Sequence, residues 1–284
     1  MKIGVMSGFG AATPPEFIAA AGRIAEQRGL HSFWVPEHVV FFREYASRYP
    51  YAADGRIPGN PDGVLEPLTA LTWIAAHTRS IRLGTGICLV PQRAPIYTAK
   101  QVADLDYLSG GRVDFGVGIG WLREEFAALD VPWERRAART RECLDVMKTL
   151  WCDEVSSYKG EFYTLPECLQ NPKPVQKPHP PIFFGGESDG ALRRTAEIGQ
   201  GWYGYHVAPD DLAERLARLD ALLAEAGRSR SDVAVYVAPR GRDLKEAGAR
   251  PFADLGVDQL LLPLFARDVD GLERAADGIA KLAG

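Results

Sequence analysis

The chain has 284 residues, 46% of them hydrophobic, and carries a formal net charge of −4 with an isoelectric point near 5.8. This composition supplies a full globular core, and the acidic balance offers no basic face for nucleic acid. No apolar run approaches the roughly 20 residues that a membrane-spanning helix needs.

The cysteines and the N-terminus indicate the cellular compartment. The cysteines (Cys88, Cys143, Cys152 and Cys168) form no C-x-x-C pair, and no histidine stands at metal-ligand spacing from them. We therefore expect reduced thiols and no metal site. A strand pattern begins at residue 3 and leaves no room for a signal peptide, so we expect a soluble cytoplasmic protein.

Apolar strand patterns alternate with amphipathic helix patterns from end to end. The predicted strands lie at residues 3–6, 32–35, 81–87, 113–117, 182–184, 201–205, 233–237 and 259–262. The predicted helices lie at residues 14–28, 66–77, 94–108, 134–151, 188–198, 210–226, 243–254 and from 268 onward. Pro14 and Gly29 fit the residue preferences of the start and end of the first helix, and Asp210 is the expected N-cap of the sixth.

The number of strand–helix units predicts the fold class. Near-continuous apolar strands that alternate with helices are typical of a parallel sheet covered on both faces. Eight such units favour an α/β fold of the (β/α)8 TIM barrel type, in one domain over residues 1–284; the alternative is an open doubly wound sheet. An insertion at 153–180, interpreted as a small hairpin and a proline-rich loop, and a long loop at 39–65 interrupt the pattern.

An acid and a histidine stand side by side directly after the second predicted strand. Phe33-Trp34-Val35-Pro36 ends an apolar run, and Glu37-His38 follows. In a barrel enzyme the active site lies where strands end and helices begin, so both side chains are candidate catalytic residues. His38 suits proton transfer near neutral pH, whereas a purely structural histidine would cap a helix or bond a backbone carbonyl there.

The loop at 39–65 is rich in aromatic residues, among them Phe41, Tyr45, Tyr49 and Tyr51. Long loops in compact domains are commonly lids or binding segments. We therefore expect this loop to cover an apolar or aromatic substrate, with Phe41 and Tyr49 as contacts. His206, at the end of the sixth predicted strand, is a further candidate on the same rim.

Glycines stand at the ends of the third and fourth predicted strands. The segments 84–88 and 116–121 each carry glycine where a strand ends, which is typical of a bulge or of a closely approaching ligand. The second segment does not match the G-x-G-x-x-G dinucleotide fingerprint, and we interpret Trp121 as a wall of the pocket. Arg123-Glu124-Glu125, which follows, is interpreted as a solvated helix start.

Another glycine pair precedes the fifth predicted helix. Gly185-Gly186-Glu187-Ser188 follows a core strand and runs into the helix, whose first amides lack partners within the helix. Such a turn is typical of an anion site, and phosphate is its usual ligand. Capping by Ser188 is the alternative, and it accounts for the serine but not for the two glycines.

Taken in order, these segments resemble the bacterial luciferase-like superfamily of flavin and deazaflavin oxidoreductases, in particular its F420-dependent branch. The resemblance covers essentially the whole chain. Its most specific segments are 33–38, 81–85, 106–112, 116–121 and 185–186, with Arg193 and Gly201-Trp202 behind the last.

The resemblance implies a (β/α)8 barrel, usually a homodimer, that holds one flavin-type cofactor at its C-terminal mouth. By this resemblance Gly86-Ile87 matches a non-prolyl cis peptide that supports the cofactor ring, with Cys88 beside it. His38 matches the residue next to the reactive ring carbon, proposed as acid or base. Glu37 matches an acid near the ring or an orienting partner.

The remaining cofactor contacts are also implied by the resemblance. Gly118 and Trp121 border the ring. The cofactor-phosphate loop is matched by the four residues Gly185, Gly186, Glu187 and Ser188. Glu187 would repel a phosphate, so we expect its side chain to point away. The acid that deazaflavin sugar-phosphate dehydrogenases place near Trp121 is missing, which argues against that substrate.

The family leaves two cofactors open. Coenzyme F420, a deazaflavin, supports hydride transfer to or from an organic substrate, whereas FMN in the same barrel supports a two-component monooxygenase. The resemblance favours F420, regenerated by a separate reductase or dehydrogenase. A non-catalytic carrier of the cofactor and a phosphate-binding barrel lyase are the more distant alternatives.

Overall fold

The computed structural model describes residues 1–58 and 63–283. Its strands are β1 (Lys2–Met6), β2 (Ser32–Val35), β3 (Arg82–Thr85), β4 (Val113–Val117), β5 (Ser156–Lys159), β6 (Thr164–Cys168), β7 (Ile182–Gly185), β8 (Gly201–Val207), β9 (Ala234–Pro239) and β10 (Gln259–Pro263). Its α-helices are α1 (Pro15–Gln27), α2 (Pro67–Ala76), α3 (Pro95–Ser109), α4 (Arg123–Ala128), α5 (Arg136–Cys152), α6 (Asp189–Ile198), α7 (Pro209–Glu225), α8 (Gly241–Ala247), α9 (Arg250–Asp254) and α10 (Val269–Ala280).

Eight of the strands close a barrel in the order β1-β10-β9-β8-β7-β4-β3-β2. Every pair in it is parallel, and β1 closes the seam by pairing along its whole length with β10, from Lys2 opposite Gln259 to Met6 opposite Pro263. The predicted (β/α)8 barrel is confirmed. Closure excludes the open doubly wound alternative, because such a sheet has two unpaired edges.

The inside of the barrel is filled by aromatic rings around Trp34. Its indole lies 5.3 Å from the ring of Tyr203 and 5.7 Å from that of Phe183, centroid to centroid. The indole occupies space that the neighbouring strands leave empty: a Cβ at Gly84 would overlap it, and one at Gly116 would lie 2.8 Å from it. Glycine at these two positions is therefore needed for packing inside the barrel.

The predicted hairpin in the insertion is confirmed as the antiparallel pair β5–β6. Its turn is held by Glu142 of α5, which accepts hydrogen bonds from the amides of Glu161 (3.0 Å), Phe162 (2.8 Å) and Tyr163 (2.7 Å). The hairpin therefore packs against the outside of the barrel through α5 and contributes no strand to the barrel itself.

Several helix ends follow the sequence signals. Gly29 has a φ of 71° after α1, and Ser188 and Asp268 cap α6 and α10 through their side chains. The prediction that Asp210 is an N-cap is wrong. Helix α7 begins one residue before the predicted start at 210, with Pro209 at its first position and Ala208 as N-cap. Proline suits that first position, since its missing N–H would have no partner there. Within the described ranges, no helix is both long and apolar enough to cross a bilayer.

Candidate functional site

The candidate residues converge on the mouth of the barrel, at the C-terminal ends of β2, β3, β4, β7 and β8. The loop after β2 lies across this mouth. Its aromatic side chains contact a residue that follows β4 and one near the end of β8: Tyr49 lies 5.3 Å from Trp121, and Tyr51 lies 4.8 Å from Tyr205, ring centroid to centroid. The described residues 39–58 of the loop have the position expected of a lid.

His38 is anchored by a carboxylate on another element. Its Nδ1 lies 3.2 Å from Oε2 of Glu125, in the first turn of α4. The side chain of Glu125 is fully buried, and that of His38 is 16% exposed. The ring of Phe41 lies 4.8 Å from the imidazole and that of Trp121 lies 5.7 Å from it. The imidazole is therefore fixed in orientation under the lid.

Glu125 accepts hydrogen bonds from two segments, the loops after β2 and β3. Besides His38, it accepts hydrogen bonds from the amide of Val39 (2.7 Å), the amide of Val40 (3.4 Å) and the side-chain amide of Gln92 (3.1 Å). Burial by itself would raise the pKa of Glu125, but the hydrogen bonds from His38, Gln92 and Val39 outweigh it and lower the pKa. The carboxylate is therefore ionised at neutral pH.

The interpretation of 123–125 as a solvated helix start is wrong for Glu125. α4 is short, and Leu122 and Phe126 on the same face as Glu125 are both buried. Glu124, by contrast, lies at the surface of α4 and holds the lid, since it accepts hydrogen bonds from the amides of Ala46 (2.6 Å) and Ser47 (3.1 Å). The usable signal was the spacing 122, 125, 126, which places Glu125 on the apolar face.

Glu37 points away from the imidazole of its neighbour. Its carboxylate accepts a hydrogen bond from the amide of Leu89 and binds the guanidinium of Arg93, with 2.7 Å between Nε and Oε1. Arg93 also pairs with Glu66, the N-cap of α2. Glu37 is 5% exposed. This geometry links the loops after β2 and β3 and suits an orienting residue.

The loop after β3 carries the cis peptide Gly86–Ile87. The amide of Cys88 then bonds the carbonyl of Gly116 (2.7 Å), and the amide of Gly118 bonds the carbonyl of Cys88 (2.9 Å). The side chain of Ile87 lies across the ends of β4 and β7, where a Cβ at Gly118 would overlap it and one at Gly185 would lie 2.9 Å from it. Cys88 is fully buried, so its thiol does not line the open mouth.

The loop after β7 presents the predicted anion site. Gly186 has a φ of 105°, which favours glycine, and Ser188 caps α6 by accepting a hydrogen bond from the amide of Ala191 (3.3 Å). The carboxylate of Glu187 accepts hydrogen bonds from the hydroxyl of Tyr51 (2.9 Å) and the amide of Tyr205 (2.7 Å). Capping by Ser188 is thus real, and Glu187 is directed toward the lid and β8.

His206 lies apart from His38. It stacks on Tyr205, with ring centroids 4.4 Å apart and planes 11° apart, and lies 6.1 Å from the ring of Tyr51. A bulge in β8 between Tyr205 and Val207 places it at the outer rim of the lid, beside a shallow cavity of about 300 Å³. In the described ranges, no group of three or more His, Cys, Asp or Glu side chains is arranged to hold a metal ion.

Comparison with known proteins yields a family match and two related sequences. Residues 1–240 match the family model described as luciferase-like monooxygenase. The chain is 35% identical over 270 residues to an uncharacterized protein of Mycobacterium tuberculosis, covering 93% of each chain. It is 33% identical over 145 residues to the FMNH2-dependent dimethylsulfone monooxygenase of Pseudomonas putida, covering 50% of this chain and 39% of that one.

The solved structures agree on the fold. An F420-dependent secondary alcohol dehydrogenase, solved in complex with an F420-acetone adduct, superposes with a TM-score of 0.75 at 18% identity, covering 97% of each chain. At this identity the likeness shows a common barrel and nothing about cofactor or substrate.

Proposed function

Because the chain belongs to the luciferase-like monooxygenase family, we propose that it is an oxidoreductase that uses coenzyme F420 for hydride transfer to or from an organic substrate. The observation that carries this proposal is the His38–Glu125 pair. A fully buried carboxylate holds Nδ1 of a partly exposed imidazole at the barrel mouth. Nε2 is then the atom that gives or takes a proton at the substrate.

The residues at the mouth fit a planar ring with a phosphate attached. The side chain of Ile87 lies against the glycine backbone at 118 and 185, and Trp121 lies beside His38, 5.7 Å from its ring. At the start of α6, among the described residues, the amides of Asp189 and Gly190 have no acceptor, as a phosphate site requires. When bound there, F420 supplies hydride transfer, and this chain supplies position and proton handling.

FMN is the second candidate cofactor, and a specific observation favours it. The Pseudomonas putida relative is named as FMNH2-dependent, and it shares 33% identity over half of this chain. An FMN-dependent enzyme would be a two-component monooxygenase with a separate reductase. We choose F420 because the sequence resembles the F420-dependent branch. An F420-dependent enzyme would need a separate dehydrogenase to regenerate the reduced cofactor.

The aromatic side chains of the lid favour an apolar or aromatic substrate. Phe41 and Trp121 flank His38, and Tyr49 packs on Trp121, so that the space next to Nε2 is bordered by aromatic rings. Aromatic walls with few polar groups suit a ligand of the same character. His206, at the outer rim, is proposed as a contact for the substrate part that lies farthest from His38.

Titration of the apoprotein with F420 and with FMN, read by fluorescence, tests the cofactor. We expect F420 to bind more tightly. If FMN bound about tenfold or more tightly than F420, a difference of about 1.4 kcal/mol in binding free energy, the F420 proposal would be wrong and an FMN-dependent monooxygenase would take its place. Equal failure of both cofactors to bind would favour the phosphate-binding lyase.

Substitution of His38 separates an enzyme from a carrier. His38→Ala should abolish turnover while leaving cofactor affinity within a few fold, because the proposed role is in proton transfer. His77→Ala is the control, since His77 is the C-cap of α2 and its ring nitrogen bonds the carbonyl of Trp73, away from the barrel mouth. Tight cofactor binding by the wild-type protein without any turnover would favour the carrier.

We also propose a homodimer. Helices α2 and α3 expose apolar side chains to solvent, notably Trp73 (44% exposed), Tyr97 (76%) and Leu108 (69%). A groove of about 580 Å³ lies between α1 and α2 beside Trp73. Exposed apolar patches of this kind mark association surfaces. Light scattering should give twice the chain mass, and Tyr97→Lys with Leu108→Lys should yield monomers.

A further inference from the structure

The short helix α4 takes its N-terminal cap from the lid. Leu122, the residue that precedes the helix, makes no side-chain hydrogen bond to the first turn. The amide of Arg123 instead donates to the side-chain oxygen of Ser47, a lid residue 76 positions earlier (3.0 Å). Glu124 in turn accepts the amide of Ser47 (3.1 Å). This is the reciprocal pattern of a capping box, with the serine supplied by a distant segment of the chain.

The contact with the lid supports the first turn of α4. A helix of six residues is marginal without partners, because few of its amides are bonded inside the helix. Burial by itself would raise the pKa of Glu124, but hydrogen bonds from Ser47 and from the amides of Glu124 and Ala46 outweigh it and lower the pKa to about 2. The carboxylate is therefore charged at neutral pH, which strengthens its hydrogen bonds to the lid.

The same turn of α4 carries Glu125, the partner of His38. Glu124 and Glu125 are consecutive, so their side chains leave the helix about 100° apart. One side chain binds the lid and the other binds the imidazole. Because both contacts start from one turn of a short helix, a shift of that turn changes both of them.

We propose that the lid positions His38 through α4, with Ser47 as the positioning residue. When the lid closes, Ser47 and Glu124 complete the first turn of α4. This places Glu125 against Nδ1 of His38, so the imidazole has its working orientation only under a closed lid. The inference rests on the proposed function, which gives His38 its role in proton transfer. Gln92 holds Glu125 from the loop after β3, so the carboxylate stays near the site when the lid opens and only its contact with His38 loosens.

Ser47→Ala removes the cap without changing His38 or Glu125. In the apoprotein, hydrogen exchange at the amides of residues 123–126 should become about fivefold faster, the effect of one lost N-cap. Ring-nitrogen NMR should show the neutral His38 moving from the form protonated at Nδ1 toward a mixture of both tautomers. Ser47→Thr, whose hydroxyl can also cap a helix, should keep both measurements at their wild-type values.

Ser229→Ala is the matched control. Ser229 forms a capping box with Asp232 just before β9, at the end of the barrel opposite the lid. The variant should speed exchange near residues 230–232 and leave α4 and the His38 spectrum unchanged. Thermal melting of all three variants checks that they fold.

The outcomes separate the inference from the proposed function. If Ser47→Ala leaves the exchange of α4 or the tautomer of His38 as in wild type, the coupling is refuted, whichever cofactor binds. If Ser47→Thr behaves like Ser47→Ala, the hydroxyl is not the link and the assignment to Ser47 is wrong. If α4 and His38 respond as expected but F420 does not bind, the coupling between lid and imidazole stands and the proposed function is wrong.

Discussion

The exchange Glu125→Gln removes one charge from the candidate site while keeping its shape. Oε1 of Glu125 accepts the amides of Val39 and Val40, and Oε2 faces Nδ1 of His38 and the side-chain amide of Gln92. In the variant the amide oxygen takes the place of Oε1 and still accepts from Val39 and Val40. The NH2 group takes the place of Oε2 and faces His38 and Gln92. Two neighbours must then change from donor to acceptor.

Both neighbours can make that change. Oε1 of Gln92 is buried without a partner, so rotation of the Gln92 amide by half a turn offers an acceptor. His38 becomes an acceptor at Nδ1 by moving its proton to Nε2. The expected loss of unfolding free energy is about 1–3 kcal/mol, for one hydrogen bond to a charged group. Glu125→Ala, which leaves the buried donors unpartnered, should lose about 3–5 kcal/mol.

Catalysis should suffer far more than stability, because Nε2 would present a proton where the wild-type protein presents a lone pair. Under the proposed function, turnover should fall by about 100-fold or more. Ring-nitrogen NMR shifts should show the neutral His38 protonated at Nδ1 in wild type and at Nε2 in the variant. The chain has only five histidines, and the His38→Ala spectrum assigns the signal.

The exposed exchange Glu134→Gln is the control and should change neither measurement. The reasoning would be refuted if Glu125→Gln folded normally and kept wild-type turnover. It would equally be refuted if His38 kept its proton at Nδ1 in that variant.

Three further outcomes are expected. Burial and nearby cations lower the pKa of His31 to about 4, so its contribution to stability is complete above pH 6.5 and is lost as pH falls toward 4. Urea unfolding should therefore give an unfolding free energy about 1 kcal/mol lower at pH 5 than at pH 7. The variant His31→Asn should remove this difference. Arg93→Met should lower the unfolding free energy by about 3–5 kcal/mol because it leaves the buried carboxylate of Glu37 unpaired, and adding Glu37→Gln should recover part of the loss. Tyr51→Phe removes the hydrogen bond to Glu187 (2.9 Å), so limited proteolysis should cut the lid several-fold faster, by about 1 kcal/mol of lost closure; an unchanged rate would mean that this bond does not hold the lid.

The barrel was predictable because its signals are local and repeated. The bounds of β2 and β4 match the predicted strands to the residue, and Gly29 and Ser188 mark helix ends as expected. The predicted helix at 243–254 is instead two short helices, α8 and α9, separated at Gly248, whose φ of 70° does not continue a helix. Periodicity alone missed that break.

The candidate site was only partly predictable, because its decisive contacts join distant segments. The sequence pointed to His38, and the structure pairs it with Glu125, 87 residues away. The sequence also pointed to Glu37, but nothing local predicts that Arg93 binds it, since the contact depends on how the loops after β2 and β3 meet. The lid was anticipated from its length and aromatic content, whereas its anchors Glu124 and Glu187 lie on other elements and required the fold.

Trp34 and its two glycines have a consequence for how this barrel can change over generations. A side chain at Gly84 would overlap the indole, one at Gly116 would also run into the backbone carbonyl of Thr85, and a smaller residue in place of Trp34 would leave a void between the strands. Each single change is therefore harmful, while a compensating pair restores the volume. We expect positions 34 and 84 to vary together among descendants of this chain while Gly116 stays fixed by the Thr85 carbonyl, and libraries for directed evolution to succeed there only when they randomise positions 34 and 84 at once.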